Sequence, residues 1–325
     1  MKRRVYFSAI LSFIVFLTLF FPGSLTAKNK RGENPSRCAE CSTSIGRRPF
    51  YRMNNNIYCS KKCVSAARIK LLPRCSICNT PTANFWKNSF SKEKRCNKCK
   101  DLPRCAFCSN YAERQVSGNR LLCKQCFPTA VSDNGKAFSI YRALRKTLKN
   151  TLGIATNHSI DFSLDTPSDM ERKKGAKLDP KQTGLFVQKT QMQKEVKYDR
   201  RTGRTLSRRV RVTGETYSIS ILYDLPHPQF RYTVIHELTH DWMSDFAPHI
   251  TDLKTKEGVS EYISYLFLQN DPDKTSYNAM LCANIANNPD PVYGGGFRMI
   301  RKIAGSGDVH TCIARLKKYL SGRRQ

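Results

Sequence analysis

Histidine is scarce in this chain of 325 residues, with six in all. Four of them (His158, His227, His249 and His310) have no partner at ligand spacing and read as surface or core residues rather than metal ligands. Long apolar runs are scarcer still. Only residues 5–21 form one, which excludes a protein that crosses a membrane many times. Acidic side chains are few as well, 25 against 56 Lys and Arg, for a formal charge of +31. Nucleic acid is the usual partner of such a balance. Here the basic residues are spread along the chain instead of gathered in one motif, so no nucleic-acid partner is expected. Anionic envelope surfaces, acidic partners or a plain solvated basic surface fit better.

The one apolar run follows Lys2-Arg3-Arg4 and precedes Pro22-Gly23-Ser24-Leu25-Thr26-Ala27, the order of a basic head, an apolar middle and a cleavage region. Residues 1–27 are therefore expected to be a signal peptide. The alternative is an uncleaved anchor, since 17 residues is the short limit of a membrane span. Either way the body should be exported: periplasmic, secreted, or held at the membrane through this segment alone. Residues 28–37 read as a polar linker.

Cysteine, by contrast, is abundant, at fourteen. Twelve fall in six close pairs: Cys38/Cys41, Cys59/Cys63, Cys75/Cys78, Cys96/Cys99, Cys105/Cys108 and Cys123/Cys126. A pair separated by two or three residues presents two thiolates to one metal, and a second pair 14 to 17 residues on closes a tetrahedral site. Three structural Zn²⁺ sites are expected, one in residues 38–70 and two in tandem in residues 71–130. Export would permit a disulfide framework instead, but disulfides do not require every cysteine to lie in a close pair. Leu72-Pro73-Arg74-Cys75 returns as Leu102-Pro103-Arg104-Cys105, an internal repeat. Short β-prone pieces at 84–86 and 120–122 lie between the pairs, with Gly118-Asn119 as a hairpin turn. Cys282 and Cys312 stand apart, as buried thiols or as one disulfide.

In residues 131–325 the stretch His236-Glu237-Leu238-Thr239-His240 is an H-E-x-x-H motif with apolar flanks (Val234, Ile235, Trp242). On a helix the two histidines share a face and can share one Zn²⁺, with Glu237 beside it as general base. Catalytic zinc usually takes three protein ligands. Glu257, 17 residues past His240 and followed by a glycine that permits close helix approach, is the third. Glu261 is one turn further and can orient a ligand histidine. This constellation reads as a metallopeptidase. Around it the pattern gives a helix at 137–152, ended by Gly153, with Phe138, Tyr141, Leu144 and Leu148 apolar. Strands follow at 159–164, 184–188, 209–212 and 217–223, with a charged exposed loop at 165–181. The zinc helix should start near Gln229, and the strand before it should be an edge strand that pairs with extended substrate. His310 and Tyr293 are both candidates to stabilise a transition-state oxyanion.

The tandem modules resemble a LIM domain, with Cys96 where histidine is usual and a longer spacer between Cys99 and Cys105. From about Leu102 to the end, the chain resembles the DA-one family, LIM-domain peptidases known from plants as ubiquitin-activated growth regulators. The resemblance is carried by Leu102-Pro103-Arg104-Cys105, Leu122-Cys123-Lys124-Gln125-Cys126, Thr183-Gly184-Leu185 and Ile221-Leu222-Tyr223-Asp224-Leu225-Pro226. His236 to Trp242, Glu257-Gly258 and Tyr293-Gly294-Gly295-Gly296-Phe297-Arg298 continue it in the same order. It implies zinc ligands His236, His240 and Glu257 and catalytic base Glu237. Ubiquitin activation does not carry over, because an export segment stands where the plant proteins often have ubiquitin-interacting helices.

The expected architecture is α+β: Cys₄ zinc-finger and LIM-like modules, then a zincin-like peptidase domain of the gluzincin type, with a small sheet and an H-E-x-x-H helix. The expected activity is hydrolysis of protein substrates with one catalytic and about three structural Zn²⁺, the LIM-like region binding a protein partner. The alternative is an exported zinc-finger binding protein whose peptidase-like domain is a scaffold.

Overall fold

The computed structural model describes residues 37–322, apart from 47, 89, 180, 199–200, 202–204 and 272–274. Residues 1–27, the expected signal peptide, and all but the last residue of the expected linker lie outside the described residues. Among the described residues no helix is long and apolar enough to cross a membrane.

The chain divides into two compact units, to Phe85 and from Trp86. In the first, β1 (Tyr51–Met53) and β2 (Asn56–Tyr58) form a hairpin. Asn54 and Asn55 turn it at φ 49° and 62°, the left-handed pair that a tight hairpin needs and asparagine tolerates. Helix α1 (Lys61–Leu71) follows, and the Ser60 hydroxyl caps it by accepting from the Cys63 N–H. Ile45, Phe50, Tyr58, Val64 and Ala67 make its small core.

The second unit opens with paired strands β3 (Trp86–Lys87) and β4 (Lys94–Arg95). Arg95 is fully buried. It donates to the Glu93 carboxylate and to the Leu102 and Ser109 carbonyls, and lies over the Trp86 ring. A buried guanidinium needs such a set of acceptors. β5 (Arg114–Val116) and β6 (Arg120–Leu122) form the next hairpin, turned by Gly118 and Asn119 at positive φ as the sequence suggests. Strand β7 (Ala130–Val131) leads into α2 (Asn134–Thr147), capped by Asp133. A π-helical turn, Leu148–Leu152, ends on left-handed Gly153. The buried stripe of α2 runs through Ala137, Tyr141, Leu144 and Leu148, whereas Phe138 is exposed.

Then come β8 (Ile160–Asp165), α3 (Pro167–Lys174), β9 (Gly184–Tyr198), β10 (Thr205–Leu222) and β11 (Leu225–Pro226). Four long helices complete the chain: α4 (His227–Phe246), α5 (Leu253–Asn270), α6 (Ser276–Ala286) and α7 (Tyr293–Ala304), with α8 (Val309–Ser321) last. The three-stranded sheet has the order β8-β10-β9, with β8 parallel and β9 antiparallel to the centre. Helices α4 and α5 lie at the heart of the core and are buried nearly all round, polar side chains such as His236, Glu237, Asp241, Glu257 and Glu261 included.

Several sequence expectations need correcting. The 165–181 loop contains α3, whose start is a capping box formed by Thr166 and Asp169 with Pro167 in the first turn. The segments at 184–188 and 209–212 are parts of one long hairpin. The strand before the zinc helix is not an edge strand: β10 is central and β9 is the edge. Helix α4 starts at His227, two residues before Gln229, because Pro228 is suited to a first helical turn. Of the two readings for Cys282 and Cys312 the thiols hold: they stand on different helices, α6 and α8, with Cys312 buried and Cys282 partly buried.

Candidate metal centre and active-site cleft

His236 and His240 stand one turn apart on α4, and Glu257 comes from the start of α5, where Asp252 caps the helix. His236 Nε2 is 3.1 Å from Glu257 Oε2 and 3.2 Å from His240 Nε2, and His240 Nε2 is 3.5 Å from Glu257 Oε2. Bonds of about 2.0–2.1 Å to a tetrahedral zinc put neighbouring ligand atoms about 3.3 Å apart. The three donors therefore form one face of such a tetrahedron. Burial works against charge on His236, yet the Glu257 hydrogen bond and the charges of Glu261 and Glu237 raise its pKa to about 9. Burial likewise opposes ionisation of Glu257, but hydrogen bonds from both histidines hold it well below the usual carboxylate range. The three donor atoms converge as the ligands of one metal ion would.

Glu237 lies buried beside these donors. Burial raises its pKa, the charges of His236 and His240 oppose this, and the Phe186 N–H of β9 donates to its carboxylate. Gly184, two residues earlier on β9, leaves the room: a Cβ there would stand 2.4 Å from Glu237 Oε1 and 2.6 Å from Thr233 Cγ2. Spacing gave no hint that Gly184 and Phe186 adjoin Glu237. The only sequence signal was the Thr183-Gly184-Leu185 motif.

Glu261 sits behind the site. Its Oε1 accepts from the Tyr232 hydroxyl at 2.7 Å and stands 3.9 Å from His236 Nδ1, too far for a hydrogen bond. Burial raises its pKa. Tyr293, first residue of α7, has its ring 6.5 Å from that of His236 at an interplanar angle of 26°. Burial, then the charges of Glu257, Glu237 and Glu261, push its phenol well up, so it stays protonated. These groups open into one cleft of about 840 Å³, walled also by 181–186 and by Leu281, Asn284 and Ile285 of α6.

The remaining histidines lie elsewhere. His158 Nδ1 meets Asp241 Oδ1 at 2.8 Å, and its ring stacks on Tyr217 at 3.7 Å. His249 donates to the Leu320 carbonyl, His227 begins α4, and His310 is exposed on α8 outside the cleft. Of the two oxyanion candidates, only Tyr293 lies beside the His236, His240 and Glu257 triangle.

The cysteines fall into the three quartets that their spacing pairs. In the first, Cys41 and Cys59 sulfurs are 3.5 Å apart and Cys59 and Cys63 are 3.6 Å apart, with buried Cys38 alongside. In the third, Cys108 lies 3.6 Å from both Cys123 and Cys126, with Cys105 completing the set. A disulfide is about 2.05 Å long. Four thiolates about 2.3 Å from zinc lie about 3.8 Å from one another. Both quartets fit metal and neither fits disulfides. Helix α6 bears on the third quartet, with the Tyr277 hydroxyl 3.8 Å from Cys126 Sγ, its ring against Phe107, and Met280 in the same cluster.

Comparison with known proteins finds relatives among plant proteins. The chain is 24% identical to the LIM domain-containing protein HDR3 of Oryza sativa subsp. japonica, over 72% of this chain and 51% of that protein. It is 22% identical to Protein DA1-related 2 of Arabidopsis thaliana, over 81% and 60%. For Protein DA1-related 7 of the same plant the figures are 21%, 87% and 58%. The chain thus spans between half and two thirds of the length of these relatives. No family model matches it, and no solved structure does.

Proposed function

We propose that the chain, similar over most of its length to a LIM domain-containing protein and to DA1-related proteins, is a zinc-dependent metallopeptidase acting on protein substrates. The observation that carries the reading is the triangle of His236, His240 and Glu257 donor atoms, spaced for one zinc, with Glu237 beside it in an open cleft. Zinc held there would supply a Lewis acid for the scissile carbonyl and a water of lowered pKa. Glu237 accepts the proton of the attacking water and passes it to the leaving amine. Tyr293 donates its phenolic proton as a hydrogen bond to the developing oxyanion. The edge of β9, beginning at Gly184, aligns an extended substrate by main-chain pairing. The three cysteine quartets hold structural zinc, and the LIM-like region recruits a protein partner. Export through residues 1–27 is part of the same proposal, and cell fractionation tests it.

The decisive experiment is metal content and peptide hydrolysis of the purified chain. Four zincs per chain are expected, falling to three in His240→Ala with loss of hydrolysis. Glu237→Gln should keep all four and still lose hydrolysis. An unchanged zinc count in His240→Ala would overturn the reading.

A further inference from the structure

The long hairpin of β9 and β10 runs far beyond the sheet that anchors it. β8 pairs with β10 only at residues 217–222, whereas β9 and β10 pair from 184 to 221 back to 198 and 205. At about 3.3 Å per residue, the 15 residues of β9 span about 50 Å. The distal part is solvent-exposed from Lys189 to Glu195 and from Arg209 to Thr213. It carries Lys189, Lys194, Lys197, Arg209 and Arg211 against Glu195 and Glu215, and Glu215 is already engaged by Gln188 and Tyr217. Met192 pairs with Val212 and Lys194 with Val210, so exposed apolar and cationic side chains share one face. Arg209 and Arg211 stand on the other.

An edge strand with this exposure is normally blunted to prevent pairing. Here the same edge starts inside the cleft, where Gly184 and Phe186 touch Glu237, and continues outward without a break. We propose that this ribbon is an extended substrate-binding arm for acidic polypeptide segments, engaging them far from the bond to be cut. The inference rests on the peptidase reading of the cleft. Strand pairing on β9 would give affinity without regard to sequence, and the lysines and arginines would select carboxylates at alternate positions. The apolar trio Met192, Val210 and Val212 would add contact with side chains of the same segment.

The test uses the full chain carrying Glu237→Gln, so that binding is read without hydrolysis. The probe is a fluorescently labelled oligoglutamate peptide followed by anisotropy. It should bind with an affinity that falls as salt rises, since exposed charges are screened. Replacing Lys189, Lys194, Lys197, Arg209 and Arg211 by Glu should weaken binding about tenfold or more. Replacement by Gln should have an intermediate effect, and the melting temperature of each variant reports its folding. Equal binding by the Glu variant overturns the proposal, as does tighter binding of a phosphatidylglycerol vesicle or an oligonucleotide than of oligoglutamate. The two readings part cleanly. Acidic-peptide binding on the arm without hydrolysis by the wild-type chain would remove the peptidase and keep the arm. Hydrolysis of short peptides without arm-dependent binding would do the reverse.

Discussion

Gly258 and Gly296 meet backbone to backbone, with no space for a methyl group between α5 and α7. A Cβ on Gly258 would lie 2.5 Å from the Gly296 carbonyl carbon, and one on Gly296 would lie 2.4 Å from the Lys254 carbonyl oxygen and 2.9 Å from Gly258 Cα. Both glycines adjoin the site: Gly258 follows Glu257, and Gly296 is three residues past Tyr293. The close crossing brings the Glu257 carboxylate and the Tyr293 phenol together on neighbouring helices. Gly296→Ala should push α7 outward and cost about 1–3 kcal/mol of stability. Denaturant unfolding measures the loss. Retained zinc with reduced hydrolysis would show that the displacement is felt at Tyr293.

Gly184→Ala makes a narrower intrusion. Its new methyl meets the Glu237 side chain, which can swing aside, and the Thr233 methyl, held by the hydroxyl contact with Thr183. The fold should survive, the zinc count should stay the same, and hydrolysis should drop because Glu237 leaves its place. Wild-type activity in this variant would mean that Glu237 is not the proton acceptor.

Tyr293→Phe removes a donor and leaves the ring. If the phenol stabilises the oxyanion, kcat should fall about a hundredfold or more with KM little changed. A rise in KM at constant kcat would assign Tyr293 to ground-state binding instead. His310→Ala, outside the cleft, should leave both parameters unchanged.

Asp224 offers a prediction in pH. Its carboxylate accepts from the Ser117 hydroxyl and N–H and from the Ser132 hydroxyl, fastening the β5–β6 hairpin to the end of β10. Burial opposes ionisation, but those bonds and Arg120 hold its pKa below the usual range. A depressed folded value stabilises the protein above the unfolded value of about 3.9, and the contribution is lost as pH falls through the folded one. Asp224→Asn keeps a residue tolerant of the φ of 60° found there. It should melt lower than wild type at neutral pH, and the gap should close below about pH 4.

The donors of the site were legible because each belongs to a local spacing: H-E-x-x-H on one helix turn, and cysteines two or three apart. Glu257 was reachable because Gly258 marked it. What stayed hidden depended on tertiary neighbours. The contact of Phe186 with Glu237 needs the β8-β10-β9 order, and nothing in the alternation of residues 217–223 tells that β8 takes the far side of β10. Helix α3 buries only Met170 and has no apolar stripe to announce it, although its Thr166–Asp169 capping box was written in the sequence. The length of β9 was missed because its distal residues face water on both sides, so the period of two that marks a half-buried strand is absent. Phe138 misled in the opposite sense, being apolar and on the helix but outside its buried stripe.

Helix α6 has one side against the third cysteine quartet and another in the wall of the cleft. A truncation at the end of the LIM-like region, made to isolate the helical half, would strip Tyr277 and Met280 of their cover and leave the cleft wall unsupported. The smallest piece of this chain worth expressing for enzymology therefore keeps the third quartet, and growth medium lacking zinc should yield a misshapen cleft even when His236, His240 and Glu257 are intact.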